Sequence, residues 1–116
     1  AYMLSGFKGV ASVRIIRPDP MVEMHPDAAR DLGLEEGSWV TIETRDGKIK
    51  QRLSLNRGMD PRVVMAAFGW WFPEEAETGY GWSSSNLNML TPSGPDYDPS
   101  TGGVTLRGIP CRVYAA

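Results

Sequence analysis

Few residues in this chain could carry catalytic chemistry. The sequence contains one cysteine, Cys111, and one histidine, His25, and no serine lies in a nucleophile elbow, so no nucleophile–base pair is recognisable. No glycine-rich loop follows a strand and precedes a helix, as a phosphate-binding loop would. A single cysteine also excludes a multi-cysteine zinc or iron–sulfur site built from this chain alone. We therefore predict no catalytic residue and no metal ligand here.

A long polar segment, residues 74–103, offers binding chemistry instead. It is rich in Gly, Ser, Pro, Asn and Thr, but it also contains Trp82, Leu87, Met89 and Leu90, which a simple flexible linker would lack. Loops of this length in a compact domain are usually functional or disordered. We predict a loop that docks on a ligand or a neighbouring domain and is mobile when both are missing.

The composition indicates one globular domain comprising residues 1–116. Hydrophobic residues make up 41% and charged residues 22%, which is ordinary for a soluble protein. The formal charge of −2 and the pI of about 5.3 argue against nucleic-acid binding, which needs a basic surface. The longest apolar run, residues 63–72, is too short to span a membrane. Because the chain begins at Ala1 rather than Met, we expect a fragment of a longer polypeptide.

Residues 21–55 predict a strand, a short helix and a long hairpin. His25 closes the strand, and Pro26 fits the first helical position, where its missing N–H costs nothing. Asp46-Gly47 is a strong hairpin signal because both residues tolerate positive φ. On the return strand the apolar and polar side chains alternate between two faces: Ile49, Leu53 and Leu55 on one, and Lys48, Lys50, Arg52 and Ser54 on the other. The many glycines and prolines also favour short strands and turns.

The predicted core follows from this alternation. Its members are Val22, Leu32, Leu34, Val40, Ile42, Ile49, Leu53, Val63, Met65 and Val113. We expect residues 63–68 to form a buried strand, because the run is short, apolar and β-branched at its start. Cys111 is expected to be a small buried hydrophobe in the final strand.

The first nineteen residues leave two interpretations open. Residues 2–4 and 10–16 are compatible with strands or with an arm. Three cations precede the first acid: Lys8, Arg14 and Arg17. Such a run is usually a solvated face, and the alternative is a strip that faces an anion such as phosphate.

Three aromatic residues, Trp70, Trp71 and Phe72, follow a glycine and precede a proline. Adjacent side chains in an extended chain point to opposite faces. At least one of these rings is therefore expected to leave the core and contact another group.

The order of the segments resembles a known family. The matching residues are Pro18–Pro26, Ala28-Ala29, Leu32–Leu34, Gly37, Val40, Asp46-Gly47, Gly69–Pro73, Ser85–Thr91, Leu106–Gly108 and Cys111–Val113. Together they resemble the C-terminal molybdopterin-dinucleotide-binding domain of molybdenum or tungsten oxidoreductases of the dimethyl sulfoxide reductase type. The resemblance implies a mainly β fold, a six-stranded double-psi β-barrel like that of aspartate decarboxylase, with one or two short helices.

The resemblance also implies a site for molybdopterin guanine dinucleotide. Asn88 falls on the asparagine that hydrogen-bonds the pterin, with Asn86, Ser85 and Thr91 beside it. Trp70 matches an aromatic position near the cofactor, and Arg107 a basic one. The N-terminal region departs from the family pattern, and only Ser12 and Arg14 are similar to its first cofactor loop.

The partners implied by the resemblance are the remaining domains of a parent large subunit and an iron–sulfur electron-transfer subunit. The metal and the substrate funnel would belong to those other domains. The isolated domain would be an inert, soluble monomer, and the parent enzyme would lie in a bacterial or archaeal cytoplasm or periplasm.

Two other functions remain as alternatives. The decarboxylase of similar fold cuts itself at a Gly-Ser bond to form a pyruvoyl group, and Gly37-Ser38 is such a pair. The simpler interpretation is that Gly37 makes a turn and Ser38 begins a strand. The third possibility is a barrel that serves as a protein-interaction module, against which the asparagine-rich loop argues.

Overall fold

A computed structural model of the chain describes residues 6–72, 79–92, 98–104 and 106–116. Its elements in chain order are α1 (Ala11–Ile16), β1 (Met21–Met24), α2 (Pro26–Asp31), β2 (Trp39–Glu43), β3 (Lys48–Leu55), β4 (Val64–Ala66), α3 (Trp82–Ser85), a 3-10 helix (Leu87–Met89) and β5 (Arg112–Ala115). Short strands and short helices dominate these residues, so the predicted mainly β class is confirmed.

The five strands form one mixed sheet in the order β4-β1-β3-β2-β5. β1 pairs parallel to β3 and antiparallel to β4. β2 pairs antiparallel to both β3 and β5. β3 therefore lies at the centre of the sheet, and the first and last strands of the described chain lie on either side of it.

The β2–β3 hairpin forms as predicted, but neither Asp46 nor Gly47 has the positive φ on which the prediction rested. The Thr44 N–H donates to the Gly47 carbonyl at 2.9 Å, which closes the turn around Asp46. Along β3 the burial alternates strictly at first: Ile49, Gln51 and Leu53 are buried, and Lys48, Lys50 and Arg52 are exposed. The hydrophobic face of β3 thus includes one amide, that of Gln51.

Helix α2 also begins at Pro26, as predicted. The His25 imidazole Nδ1 accepts a hydrogen bond from the Asp27 N–H at 3.1 Å, which satisfies one of the free donors of the first turn. Gly33 follows the helix with a φ of 68°, where a side chain would be strained. The chain then turns back, and the Leu34 N–H donates to the Ala29 carbonyl at 2.8 Å. Leu34 is buried as a result.

The core confirms most of the predicted list and corrects three members. Val22, Leu34, Val40, Ile42, Ile49 and Leu53 are buried, and Val113 packs half-buried against them. Leu32, Val63 and Met65 are more than half exposed. β4 is a three-residue strand at the edge of the sheet. Val64 and Ala66 pack against the core, whereas Met65 between them faces away from the core. The prediction of a buried strand over residues 63–68 is therefore wrong, and Leu32 lies on the outer side of the α2 C-terminus.

Two further expectations are corrected at the ends of the chain. Residues 11–16 form the helix α1, and no residue of that helix is buried. The Arg14 N–H donates to the Val10 carbonyl at 3.1 Å, so helical hydrogen bonds replace strand pairing there. Cys111 is exposed, because it precedes β5 and lies outside the ladder that begins with the Glu43–Arg112 pair. Residues 2–4 lie outside the described part of the chain.

Within the described ranges, we find no helix that is long and apolar enough to cross a membrane.

Candidate functional site

The segment from Gly79 to Thr91 carries four of the predicted site residues and is folded onto the sheet. α3 and the 3-10 helix follow each other directly, and the Asn86 N–H donates to the Trp82 carbonyl at 2.8 Å where they join. Ser85 is buried, and Leu90 belongs to the core. This part of the predicted loop therefore docks on the chain itself.

Asn86 fixes the shape of this segment with both ends of its amide. Its Oδ1 accepts from the Asn88 N–H at 3.0 Å, which caps the 3-10 helix. Its Nδ2 donates to the Trp70 carbonyl at 3.2 Å. Both polar groups of the Asn86 side chain bind backbone atoms. This side chain therefore connects the Gly79–Thr91 segment to the backbone at Trp70 and does not face outward.

Asn88 is placed differently. Its backbone is held at both sides, since its N–H donates to Asn86 and its carbonyl accepts from the Thr91 hydroxyl at 3.1 Å. Its side chain is exposed, and we find no hydrogen bond from its amide to any other residue within the described ranges. The result is an amide on a fixed backbone, with donors and an acceptor available to whatever binds there.

The β2–β3 hairpin supports this segment from below. The Thr44 hydroxyl donates to the Leu90 carbonyl at 2.9 Å and accepts from the Asp46 N–H. Gly47 lies against the Met89 carbonyl so closely that an added Cβ would overlap it. The predicted hairpin turn therefore also positions the residues that follow Asn88.

Gln51 is the important residue that sequence reasoning missed. It is fully buried in β3, and its amide binds the backbone of Ala67 and Ser85. The signal was present, because Gln51 lies between Ile49 and Leu53 on the predicted buried face. A polar residue at such a position implies hydrogen-bond partners inside the domain.

The N-terminal segment contacts Trp70 through Lys8. Trp70 is buried, and the Lys8 ammonium lies 4.0 Å from the centre of its ring. The same ammonium is 5.4 Å from the Trp71 ring and 5.7 Å from the Phe72 ring. A cation over aromatic faces is attracted by their negative quadrupole. The expected solvated face is therefore wrong for Lys8, which is buried with them.

The remaining predicted site residues are exposed and lie on other segments of the chain. Ser12 and Arg14 lie on α1, and Arg107 lies in a bend before Gly108. We find no hydrogen bond or cation–π contact between the Arg107 side chain and Asn88 or Trp70 within the described ranges. The structure thus brings together Trp70, Ser85, Asn86, Asn88 and Thr91, and leaves Ser12, Arg14 and Arg107 as separate surface positions.

A cleft with a volume of about 360 Å³ opens beside the turn of the hairpin. It is lined by Glu43, Thr44, Arg45, Pro110, Cys111 and Arg112. The Tyr114 hydroxyl and the Arg112 guanidinium donate to the Glu43 carboxylate at 2.7 Å and 2.9 Å. These hydrogen bonds lower the pKa of Glu43, and the bond to Glu43 raises the pKa of Tyr114. Thr44 lines this cleft and also binds the Leu90 carbonyl, so the two regions adjoin.

The Gly37-Ser38 pair has the geometry of a turn. Gly37 has a φ of 75°, and its N–H donates to the Leu53 carbonyl at 2.9 Å. The Ser38 hydroxyl donates to the Glu35 carbonyl at 2.7 Å. Both residues are thus explained by the local fold. Among the described residues, no group of three His, Cys, Asp or Glu side chains could hold a metal ion.

The sequence and the fold both match one family. Residues 3–110 match the family described as the Molydopterin dinucleotide binding domain, and the chain belongs to it. The resemblance to molybdenum and tungsten oxidoreductases of the dimethyl sulfoxide reductase type is thereby confirmed. This membership does not favour the self-cleaving alternative.

Individual relatives show how small a part of a protein this domain is. The chain is 35% identical over 115 residues to the dopamine dehydroxylase of Eggerthella lenta, a match that covers 99% of the chain and 11% of that enzyme. It is 32% identical over 108 residues to the acetylene hydratase of Syntrophotalea acetylenica, covering 88% of the chain and 15% of the enzyme. The structure of acetylene hydratase from Pelobacter acetylenicus superposes with a TM-score of 0.88 and 28% identity, covering 99% of this chain and 16% of that one.

Proposed function

We propose that this chain binds a molybdopterin dinucleotide, and that Asn88 presents its side-chain amide to the pterin. The observation that carries the proposal is the Asn88 amide, which stands on a backbone fixed by Asn86 and Thr91. The membership of residues 3–110 in the dinucleotide-binding family supports it. An amide donates and accepts at once, which suits the mixed donors and acceptors along a pterin edge.

The other predicted residues take supporting roles in this proposal. Asn86 and Thr91 hold the backbone of Asn88, and Ser85 and Trp70 form the buried base of the segment. Ser12, Arg14 and Arg107 lie outside this group. The two arginines carry the charge that suits the phosphates of a dinucleotide.

The form of the cofactor and the nature of the parent protein are part of the same proposal. We assign the guanine dinucleotide form, with molybdenum or tungsten held by the parent enzyme. When bound, the cofactor would supply the redox-active metal centre. The chain spans only 11% and 15% of two curated relatives, which supports a large subunit whose other domains complete the site. We assign this domain to the C-terminus of that subunit. An iron–sulfur subunit would be its electron-transfer partner.

The fold belongs to the proposal in its finer form. The five observed strands, with β1 parallel to β3 inside an otherwise antiparallel sheet, are compatible with a six-stranded double-psi β-barrel. A sixth strand would have to close the sheet between its edges β4 and β5.

The test uses the parent enzyme, with cofactor retention measured after gel filtration. Asn88→Ala should leave a pterin group without its hydrogen bond, a loss of about 1–3 kcal/mol, or roughly 5- to 150-fold in retention. The melting temperature of the parent enzyme stripped of cofactor should not change, because the amide has no partner within the described part of the domain.

Ser84→Ala is the matched control, because Ser84 is exposed on the neighbouring helix α3. It should change neither retention nor melting temperature. Asn86→Ala should lower both, since Asn86 braces the segment. If Asn88→Ala retains the cofactor like the wild type, the assignment of this segment is wrong.

A further inference from the structure

Gln51 occupies a position where an apolar side chain would serve the core equally well. It lies between Ile49 and Leu53 on the buried face of β3 and is 0% exposed. Its neighbours on that face are aliphatic. The presence of an amide among them therefore calls for a reason other than the burial of surface.

The Gln51 amide binds two distant pieces of backbone at once. Its Oε1 accepts from the Ala67 N–H at 2.9 Å, and its Nε2 donates to the Ala67 carbonyl at 3.0 Å. Nε2 also donates to the Ser85 carbonyl at 3.1 Å. Both donors and the acceptor of the amide are thus used.

Gln51 makes these two contacts to the two segments that form the site. Ala67 lies shortly before Trp70, and Ser85 directly precedes Asn86. Asn86 in turn donates to the Trp70 carbonyl at 3.2 Å. One buried side chain therefore sets the spacing between the chain that leads into Trp70 and the segment that carries Asn88.

We propose that Gln51 is a positioning residue that places the Asn86–Thr91 segment for cofactor binding. This inference rests on the proposed function of Asn88. Gln51 itself is buried beneath the segment, so it acts through the backbone of Ser85. Residues that orient metal ligands from behind typically contribute about tenfold or more to affinity, and we expect an effect of the same order here.

The experiment compares Gln51→Met and Gln51→Glu in the parent enzyme. Gln51→Met keeps the volume and flexibility of the side chain but removes the three hydrogen bonds. We expect cofactor to dissociate about tenfold faster from this variant. Hydrogen–deuterium exchange should rise in peptides covering residues 79–92 and stay unchanged in those covering residues 39–55.

Gln51→Glu allows the protonated and ionised forms of one side chain to be compared within a single variant. A buried carboxylic acid is favoured in its neutral form. The protonated carboxyl of this variant has one O–H donor and an acceptor, so it can restore part of the network, whereas the ionised form can donate to neither carbonyl. Its cofactor retention should improve as the pH falls from about 8 to 5, and the retention of Gln51→Met should change with pH no more than that of the wild type.

The outcomes separate this inference from the proposed function. If Asn88→Ala releases the cofactor but both Gln51 variants retain it, the positioning role is wrong and the proposed function stands. If Asn88→Ala retains the cofactor, the proposed function fails. If Gln51→Met does not fold, the pH profile of Gln51→Glu decides alone. A flat profile, or increased exchange spread over residues 39–55, would reduce Gln51 to a general core residue.

Discussion

The side chain of Asn86 donates to the backbone carbonyl of Trp70 at 3.2 Å. This hydrogen bond joins the Asn86–Thr91 segment to the aromatic stretch, Trp70–Phe72. Asn86→Ala removes it together with the cap on the Asn88 N–H. We expect the free energy of unfolding to fall by about 1–2 kcal/mol, because Asn86 is half-buried. Asn88→Ala should change it by less than about 0.5 kcal/mol. Urea denaturation measures both, and equal effects would contradict the assigned roles.

Gly47 is required by close packing. A Cβ at this position would overlap the Met89 carbonyl, which is backbone and cannot rotate away. Gly47→Ala should therefore destabilise the fold by about 1–3 kcal/mol and displace the 3-10 helix. The matched control is Gly9→Ala, since nothing lies within 4 Å of a Cβ there. Thermal unfolding measures the difference, and two equally stable variants would show that the hairpin does not press on Met89.

Lys8 ties the N-terminal segment to the aromatic stretch. Lys8→Met keeps most of the length of the stem but removes the charge over the Trp70 ring. The free energy of unfolding should fall by roughly 0.5–2 kcal/mol. Tryptophan fluorescence should also shift, because the environment of the indole changes. Lys50→Met is the control, because Lys50 is exposed on β3. An unchanged spectrum in the Lys8 variant would rule out the contact.

The Glu43 cluster predicts a dependence on acid pH. Hydrogen bonds from Tyr114 and Arg112 lower the pKa of Glu43 from its ordinary value of 4.5. A carboxyl with a lowered folded-state pKa stabilises the fold above the ordinary value, and this contribution is lost as the pH falls through the folded-state pKa. The pairing of β2 with β5 should therefore loosen below about pH 4.5.

NMR titration of the Glu43 carboxyl carbon measures this directly. Glu43→Gln should remove the carboxyl titration and flatten the acid limb of the stability curve. The raised pKa of Tyr114 acts at the alkaline side, where its contribution is lost as the pH rises above the ordinary value of 10.0 and through the folded-state pKa. A Glu43 pKa at or above its ordinary value would refute the cluster.

The local signals in the sequence were reliable because they depend on neighbouring residues. The helix start at Pro26 is determined by backbone preferences within a few residues, and the turn at Asp46-Gly47 is closed by hydrogen bonds between near neighbours, although neither of its two residues has a positive φ. The alternation along β3 also predicts its faces. The burial of Gln51 was readable in principle from that alternation, although its partners were not.

The contacts between distant segments could not be predicted in this way. The burial of Lys8 depends on the rings of Trp70 and Trp71, far along the chain, and nothing near Lys8 indicates them. The apolar character of residues 63–68 suggested a buried strand, but the short β4 ends the sheet, so Val63 and Met65 remain exposed. The difference between Asn86 and Asn88 likewise appears only once the Trp70 carbonyl is in place.

The pairing of β2 with β5 has a consequence for how the chain folds. Arg112 and Glu43 meet across 69 positions of sequence, whereas the β2–β3 hairpin closes around a short turn. Because the entropy of closing a loop is lost before its contacts form, the distant strand is expected to join late. Pulse-labelled hydrogen exchange should protect the amides of β3 before those of β5, and simultaneous protection would contradict this order. β5 would then pair with β2 only after the β2–β3 hairpin has formed.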